Sequence, residues 1–178
     1  VMGIVAAVTS AVDVVPTLCD ILEISVPDGV QGVSFRPFLE GDDPSSPRDA
    51  AFAQFTEHMK RDNESRAAIT DDENLVRYFD QGRTVDYPVD VNPKRFADHV
   101  ARMPLTGDPR PFAQIFDVEA DPHELDDRSD DPVFDDSVVE LSRRLLRWMA
   151  ATDDPLLRGR VRLPYYERAV EDLLRSGT

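Results

Sequence analysis

Residues 112–127 read FAQIFDVEADPHELDD. An apolar run enters a crowd of carboxylates that also holds one histidine and one proline. Three readings compete. Asp117, Glu119 and Asp121 have the spacing of the first ligands of a calcium loop, but Pro122 stands where a glycine is required. Arg128 stands where the closing bidentate acid belongs. His123 and Glu124 lack the second histidine of a zinc-protease helix, and Pro122 disfavours a helix through both. A turn accounts for the stretch: a buried strand ends at Phe116, and Asp117 turns the chain by bonding nearby amides. Pro122 fixes one φ, and the acids face water.

Strands stand directly before this turn and helices follow it. AAFAQFTEH (50–58) alternates and reads as a strand. SRAAITDDENLVRYFD holds a strand, an acidic turn at Asp71 to Asn74 and a second strand, which make a hairpin. Downstream, DDSVVELSRRLLRWM is the strongest helix. Ser137 with Glu140 forms a capping box, and Val138, Leu141, Leu145 and Trp148 form one apolar stripe. LPYYERAVEDLLRSG reads as a last helix ended by Gly177. Upstream, Ser10 and Asp13 open a helix carrying Pro16, Leu18 and Leu22 that should end near Ile24; Gly29 and Gly32 then permit turns. Residues 81–111 are punctuated by proline and hold one short helix at Pro93 to Met103. The polar stretch near 41–49 separates an N-terminal piece (1–41) from a second unit (50–152), and 153–178 form a helical tail.

Thirty-five acidic residues against 20 basic ones give a formal net charge of −15. Such a surface repels nucleic-acid phosphates and anionic membranes, so neither is expected as a partner. Acidic residues without a long acidic block, with only Lys60 and Lys94 as lysines, suit a surface bathed in high salt, as in a halophile. Cys19 is the single cysteine, which leaves no intrachain disulfide. VMGIVAAVTSAV is too short for a membrane span and lacks the basic flank of a signal peptide, so a cytoplasmic location is expected. The chain opens on Val1, as a piece of a longer protein would.

The candidate binding residues are few. His58 closes the strand AFAQFTEH, and Arg61 follows two residues later; a histidine and an arginine at a strand end suit an anionic substrate group. His99 and His123 have no partner legible in sequence, and Asn63 starts a sequon, NES. No nucleophile–base pair, glycine-rich phosphate cradle or metal cluster is visible.

In order and spacing these pieces resemble the C-terminal part of the sulfatases, the arylsulfatase-like branch of the alkaline-phosphatase superfamily. The Asp-x-x-Pro-Thr helix opening is matched by Asp13, Pro16 and Thr17. The Pro-x-x-x-x-Gly-x-Ser turn is matched from Pro27 through Gly32 to Ser34. The later strand ending Tyr-Asp-Leu, then Asp-Pro-x-Glu, is matched by Phe116, Asp117, Val118, Asp121, Pro122 and Glu124. The resemblance implies an α/β to α+β architecture: a remnant helix of the catalytic domain, then a small antiparallel sheet packed by a C-terminal helix. It implies a supporting segment that lines the substrate cleft and is not catalytic alone. Its partners would be the catalytic part of the sulfatase and a small sulfated substrate, contacted here by His58 and Arg61. Calcium and a formylglycine are implied for the full-length parent only, because Cys19 is followed by Asp20, Ile21, Leu22 and Glu23 rather than the formylglycine signature. Two alternatives stand beside this reading: a phosphodiesterase or phosphonate hydrolase of the same superfamily, and a free-standing acidic interaction domain.

Overall fold

The computed structural model describes residues 7–41, 47–58, 61–80, 111–161 and 164–176. The helix expected at Pro93 to Met103, the stop expected at Gly177 and most of the stretch near 41–49 lie outside these residues. A 3-10 turn, Ala11–Asp13, leads into α1 (Val14–Ile21), and a short α2 (Arg36–Glu40) follows. Four strands, β1 (Ala51–His58), β2 (Arg61–Ile69), β3 (Glu73–Tyr78) and β4 (Ala113–Asp117), form one antiparallel sheet in chain order. α3 (Asp135–Ala151) crosses the sheet, and α4 (Pro164–Ser176) ends the described chain.

The sheet is built on one row of paired residues. Phe52 opposes Ala68, Ala68 opposes Leu75, and Leu75 opposes Ile115, so the row runs through all four strands on one face. Ala68, Leu75 and Ile115 have no exposed surface. Leu141, Leu145 and Met149 of α3 pack against this row with Phe134 and Leu156, and Val138 and Trp148 flank them. Trp148 stacks nearly parallel on Phe52, with ring centroids 5.3 Å apart. The helical stripe expected from Val138 to Trp148 is therefore the core face, with Met149 added to it.

The start of α3 corrects the expected capping box. Ser137 is not the cap: the helical path starts earlier, at Asp131, whose carboxylate accepts from Val133 N at 3.0 Å and caps a 3-10 turn, Pro132–Phe134, that runs into the helix. Ser137 lies inside the first turn of α3 and donates to Glu73 Oε1 of β3 at 2.8 Å. Glu140 Oε1 accepts from Arg144 Nε at 3.1 Å.

α3 and α1 end in the same way. At α3, Asp153 takes a left-handed φ of 53°, its N–H donates to Ala150 O, and Asp154 N donates to Met149 O at 2.8 Å. At α1, Glu23 has φ 55° and Ile24 N returns to Cys19 O at 2.9 Å. This double closure satisfies the last carbonyls, and it stops α1 at Ile21 rather than near Ile24.

The two N-terminal motifs close on each other. Thr17 Oγ1 donates to Asp13 O at 2.6 Å and accepts from Phe35 N at 3.1 Å. Ser34 Oγ donates to Asp20 Oδ2 at 2.6 Å, and Arg36 Nη1 donates to Asp20 O at 2.7 Å. Gly32 sits against the backbone of this clasp: a Cβ there would lie 2.0 Å from Val12 O and 2.9 Å from Asp13 Cα. Gly32→Ala must push two backbone segments apart, with an expected loss of roughly 1–3 kcal/mol. A urea midpoint within error of the wild type would show that the approach is not tight.

Candidate functional site

The pairing of β1 with β2 brings the two sequence-predicted binding residues together. His58 is the last residue of β1, Arg61 is the first of β2, and the register makes them direct cross-strand partners. At positions 57, 58 and 61–63 the description is of the backbone.

A step back along the hairpin lies a buried charge network. Arg66 and Asp154 are each about 2% exposed as side chains. Arg66 Nε donates to Asp154 Oδ2 at 2.6 Å and Nη2 to Oδ1 at 3.1 Å. Its Nη1 donates to Ser65 O at 2.8 Å, Phe55 O at 3.1 Å and Thr56 Oγ1 at 3.4 Å. Asp154 also caps the 3-10 turn Pro155–Leu157, accepting from Leu156 N at 2.9 Å. Glu64, 2% exposed, accepts from Val161 N at 2.9 Å and Arg160 Nε at 3.3 Å. These charges went unread in the sequence. The signal was there: Glu64, Arg66 and Ala68 occupy the inward positions of a strand, where apolar residues belong.

Burial opposes ionisation of Asp154, but bonds from Arg66 and Leu156 N, with the guanidinium charge, outweigh it and hold the carboxyl below its usual range. A depressed folded pKa means that the unfolded chain binds the extra proton. The contribution is complete above the ordinary carboxyl value and is lost as pH falls through the lower folded one. Carboxyl-carbon NMR of the folded chain should show Asp154 titrating below a peptide aspartate. Titration at or above that reference would refute the assignment.

At the N-terminal clasp, Asp13 has no exposed surface and collects four donors. Ser10 N reaches Oδ2 at 2.8 Å, Val33 N reaches Oδ1 at 2.9 Å, Arg48 Nε reaches Oδ2 at 3.0 Å, and Arg48 Nη2 contacts Oδ1. Arg48 thus ties the clasp to the chain entering β1. Cys19 is buried in α1, as a small apolar residue would be.

The acidic stretch after β4 is a turn. Asp117 Oδ1 accepts from Ala120 N at 2.9 Å, Asp121 Oδ2 from Leu125 N and Asp126 N at 2.6 and 2.7 Å, and Asp127 Oδ1 from Ser129 N and Ile115 N at 3.0 and 3.3 Å. The amide of Asp126, with those of Leu125 and His123 and the His123 charge, keeps the Asp121 carboxyl below its usual range despite some desolvation. His123 is exposed on this turn, and His99 lies outside the described residues. Among the described residues no group of three or more His, Cys, Asp or Glu side chains is placed to hold a metal ion. Cys19, inside a helix and followed by Asp20, is not in a setting for formylglycine. The described residues therefore fit neither group. Among the described residues no helix is long and apolar enough to cross a membrane.

Residues 3–101 match the family described as N-sulphoglucosamine sulphohydrolase, C-terminal. No curated protein matches the chain. Among solved structures, a 2-O GAG sulfatase is 18% identical with a TM-score of 0.59, covering 82% of this chain and 26% of its own. A protein solved with its substrate D-glucosamine-2-N,6-O-disulfate is 21% identical, with a TM-score of 0.55 over 80% of this chain and 24% of its own. The phosphonate monoester hydrolase of Agrobacterium radiobacter is 23% identical, with a TM-score of 0.52 over 82% and 25%. The chain thus spans about a quarter of the length of each, and what it shares with them is the fold: a small antiparallel sheet with helices. The match covers more than half of the 178 residues and takes in both halves of the Asp13–Gly32 clasp, so the chain belongs to the N-sulphoglucosamine sulphohydrolase C-terminal family.

Proposed function

We propose that this chain is the C-terminal segment of a sulfuric ester hydrolase, supporting the catalytic part of that enzyme and lining its substrate cleft without being catalytic alone. One observation carries the reading. The polar side of α1 is committed to the clasp, while Val14, Leu18, Ile21 and Leu22 remain 48%, 52%, 47% and 65% exposed, with Ile24 at 57%. An apolar face of this extent is what a helix presents when other polypeptide covers it. The catalytic part would supply that cover, together with calcium, the formylglycine and the remaining sulfate contacts. Positions 58 and 61, opposed at the hairpin end, would reach the sulfated substrate. A single free cysteine supports a cytoplasmic setting, and the net charge of −15 supports high ionic strength.

The test compares this chain with the longer polypeptide that carries it, using an aryl sulfate and an aryl phosphonate monoester with added calcium. The chain alone should turn over neither, and the longer protein should hydrolyse the sulfate. Leu18→Glu with Leu22→Glu should lower the yield of active long enzyme while leaving the isolated chain folded. Metal-dependent turnover by the purified chain alone would overturn the supporting role. Preference of the long enzyme for the phosphonate would assign the family's fold here to phosphoryl chemistry instead.

A further inference from the structure

The β1–β2 ladder contains one irregularity, and it decides what stands at the hairpin end. From Ala51↔Ile69 to Phe55↔Ser65 the strands pair one for one. Continued unbroken, that register would set His58 opposite Asp62 and put Arg61 on the other face. Instead Glu57 pairs with Asp62 and His58 with Arg61. Thr56 therefore faces two residues of β2, Asn63 and Glu64, which is a bulge. A one-residue slip exchanges the faces of a strand, so the bulge is what makes positions 58 and 61 partners.

A bulge interrupts the ladder and leaves nearby carbonyls in need of donors. Ser65 O and Phe55 O flank the interruption, and Arg66 Nη1 donates to both, with Thr56 Oγ1 also in reach. The other edge of the guanidinium is held by Asp154, which α3's C-terminal closure places behind it. Within the bulge, Glu64 O accepts from Phe79 N at 2.8 Å on the β3 side, and its carboxylate accepts from Arg160 and Val161. Both buried charges thus tie the irregular part of the hairpin to residues 154–161.

We propose that Arg66 is a positioning residue: held by Asp154, its guanidinium fixes the bulge that sets positions 58 and 61 opposite each other. The consequence for substrate rests on the reading of that hairpin end as part of the sulfate-binding cleft. Only a planar fork can serve Asp154 and the two carbonyls at once; an ammonium on a single stem cannot.

Two variants test the role of Arg66, and a third tests position 58. Arg66→Met with Asp154→Leu removes both buried charges together, so it keeps the fold while withdrawing the donors. Arg66→Lys keeps a charge for Asp154 and loses the fork. Backbone NMR contacts across the hairpin read the register: position 58 should meet 61 in the wild type, and 62, or a mixture, in both variants. In the longer enzyme the same variants should raise KM for an aryl sulfate by about tenfold with kcat little changed, the pattern of lost binding. His58→Ala should raise KM without altering the register. Retention of the 58–61 pairing in both variants overturns the role of Arg66 and leaves the sulfatase reading standing. A shifted register with unchanged KM, and no effect of His58→Ala, upholds the role of Arg66 in the register and removes positions 58 and 61 from the cleft.

Discussion

Asp154→Ala is expected to destabilise the chain by roughly 3–5 kcal/mol, the cost of leaving a buried charge without its partner. Arg66 is the charge left behind, and solvent cannot compensate it, because its side chain is 2% exposed. The same substitution removes the cap from the 3-10 turn Pro155–Leu157. Urea unfolding should show the loss as a lower midpoint with little change in slope. The double replacement Arg66→Met with Asp154→Leu should recover most of that loss, since well-packed apolar residues often replace a buried pair at little cost. A single-variant loss below about 1 kcal/mol would mean that water reaches the guanidinium.

Asp13→Ala is expected to cost a similar amount, about 3–5 kcal/mol, with a different signature. Four donors from three separate stretches converge on this carboxylate: Ser10, Val33 and the two arms of Arg48. Removing it withdraws two acceptors from the Arg48 guanidinium, which is 17% exposed, and frees the N–H of Val33. The clasp should open locally while the sheet persists. Amide exchange should therefore accelerate at Val33 and Phe35 and remain slow at Leu75 and Ile115. Uniform acceleration across both regions would show that clasp and sheet unfold as one cooperative unit.

The strands, the long helix and the acidic turn were legible because each rests on a local signal. Alternation marks β1, proline with aspartate marks the turn after Phe116, and the stripe Leu141, Leu145 and Trp148 marks α3. The misreadings have local causes too. Ser137 and Glu140 fit a capping pattern, yet Asp131 with Pro132 starts the helical path earlier, and the earlier cap wins because the 3-10 turn runs directly into the helix. α1 stops short because Glu23 accepts a left-handed backbone, which non-glycine residues adopt rarely enough to escape a sequence pattern. The Asp13, Pro16 and Thr17 motif was recognised by its resemblance, but the partners of Asp13 lie up to 35 residues away. Pairings between Arg66 and Asp154, 88 residues apart, carry no periodicity at all. What remained hidden was long-range polar satisfaction, and it surrounds both the clasp and the hairpin end.

β3 and β4 are hydrogen-bonded neighbours from Glu73↔Asp117 to Arg77↔Ala113, although residues 79–112 separate them along the chain. Loop-closure entropy rises by only about 0.6 kcal/mol for each doubling of the length of a flexible connection. The pairing of the two strands is therefore nearly indifferent to how much polypeptide joins them. A foreign module spliced into this connection is therefore expected to leave the Glu73↔Asp117 to Arg77↔Ala113 ladder in place.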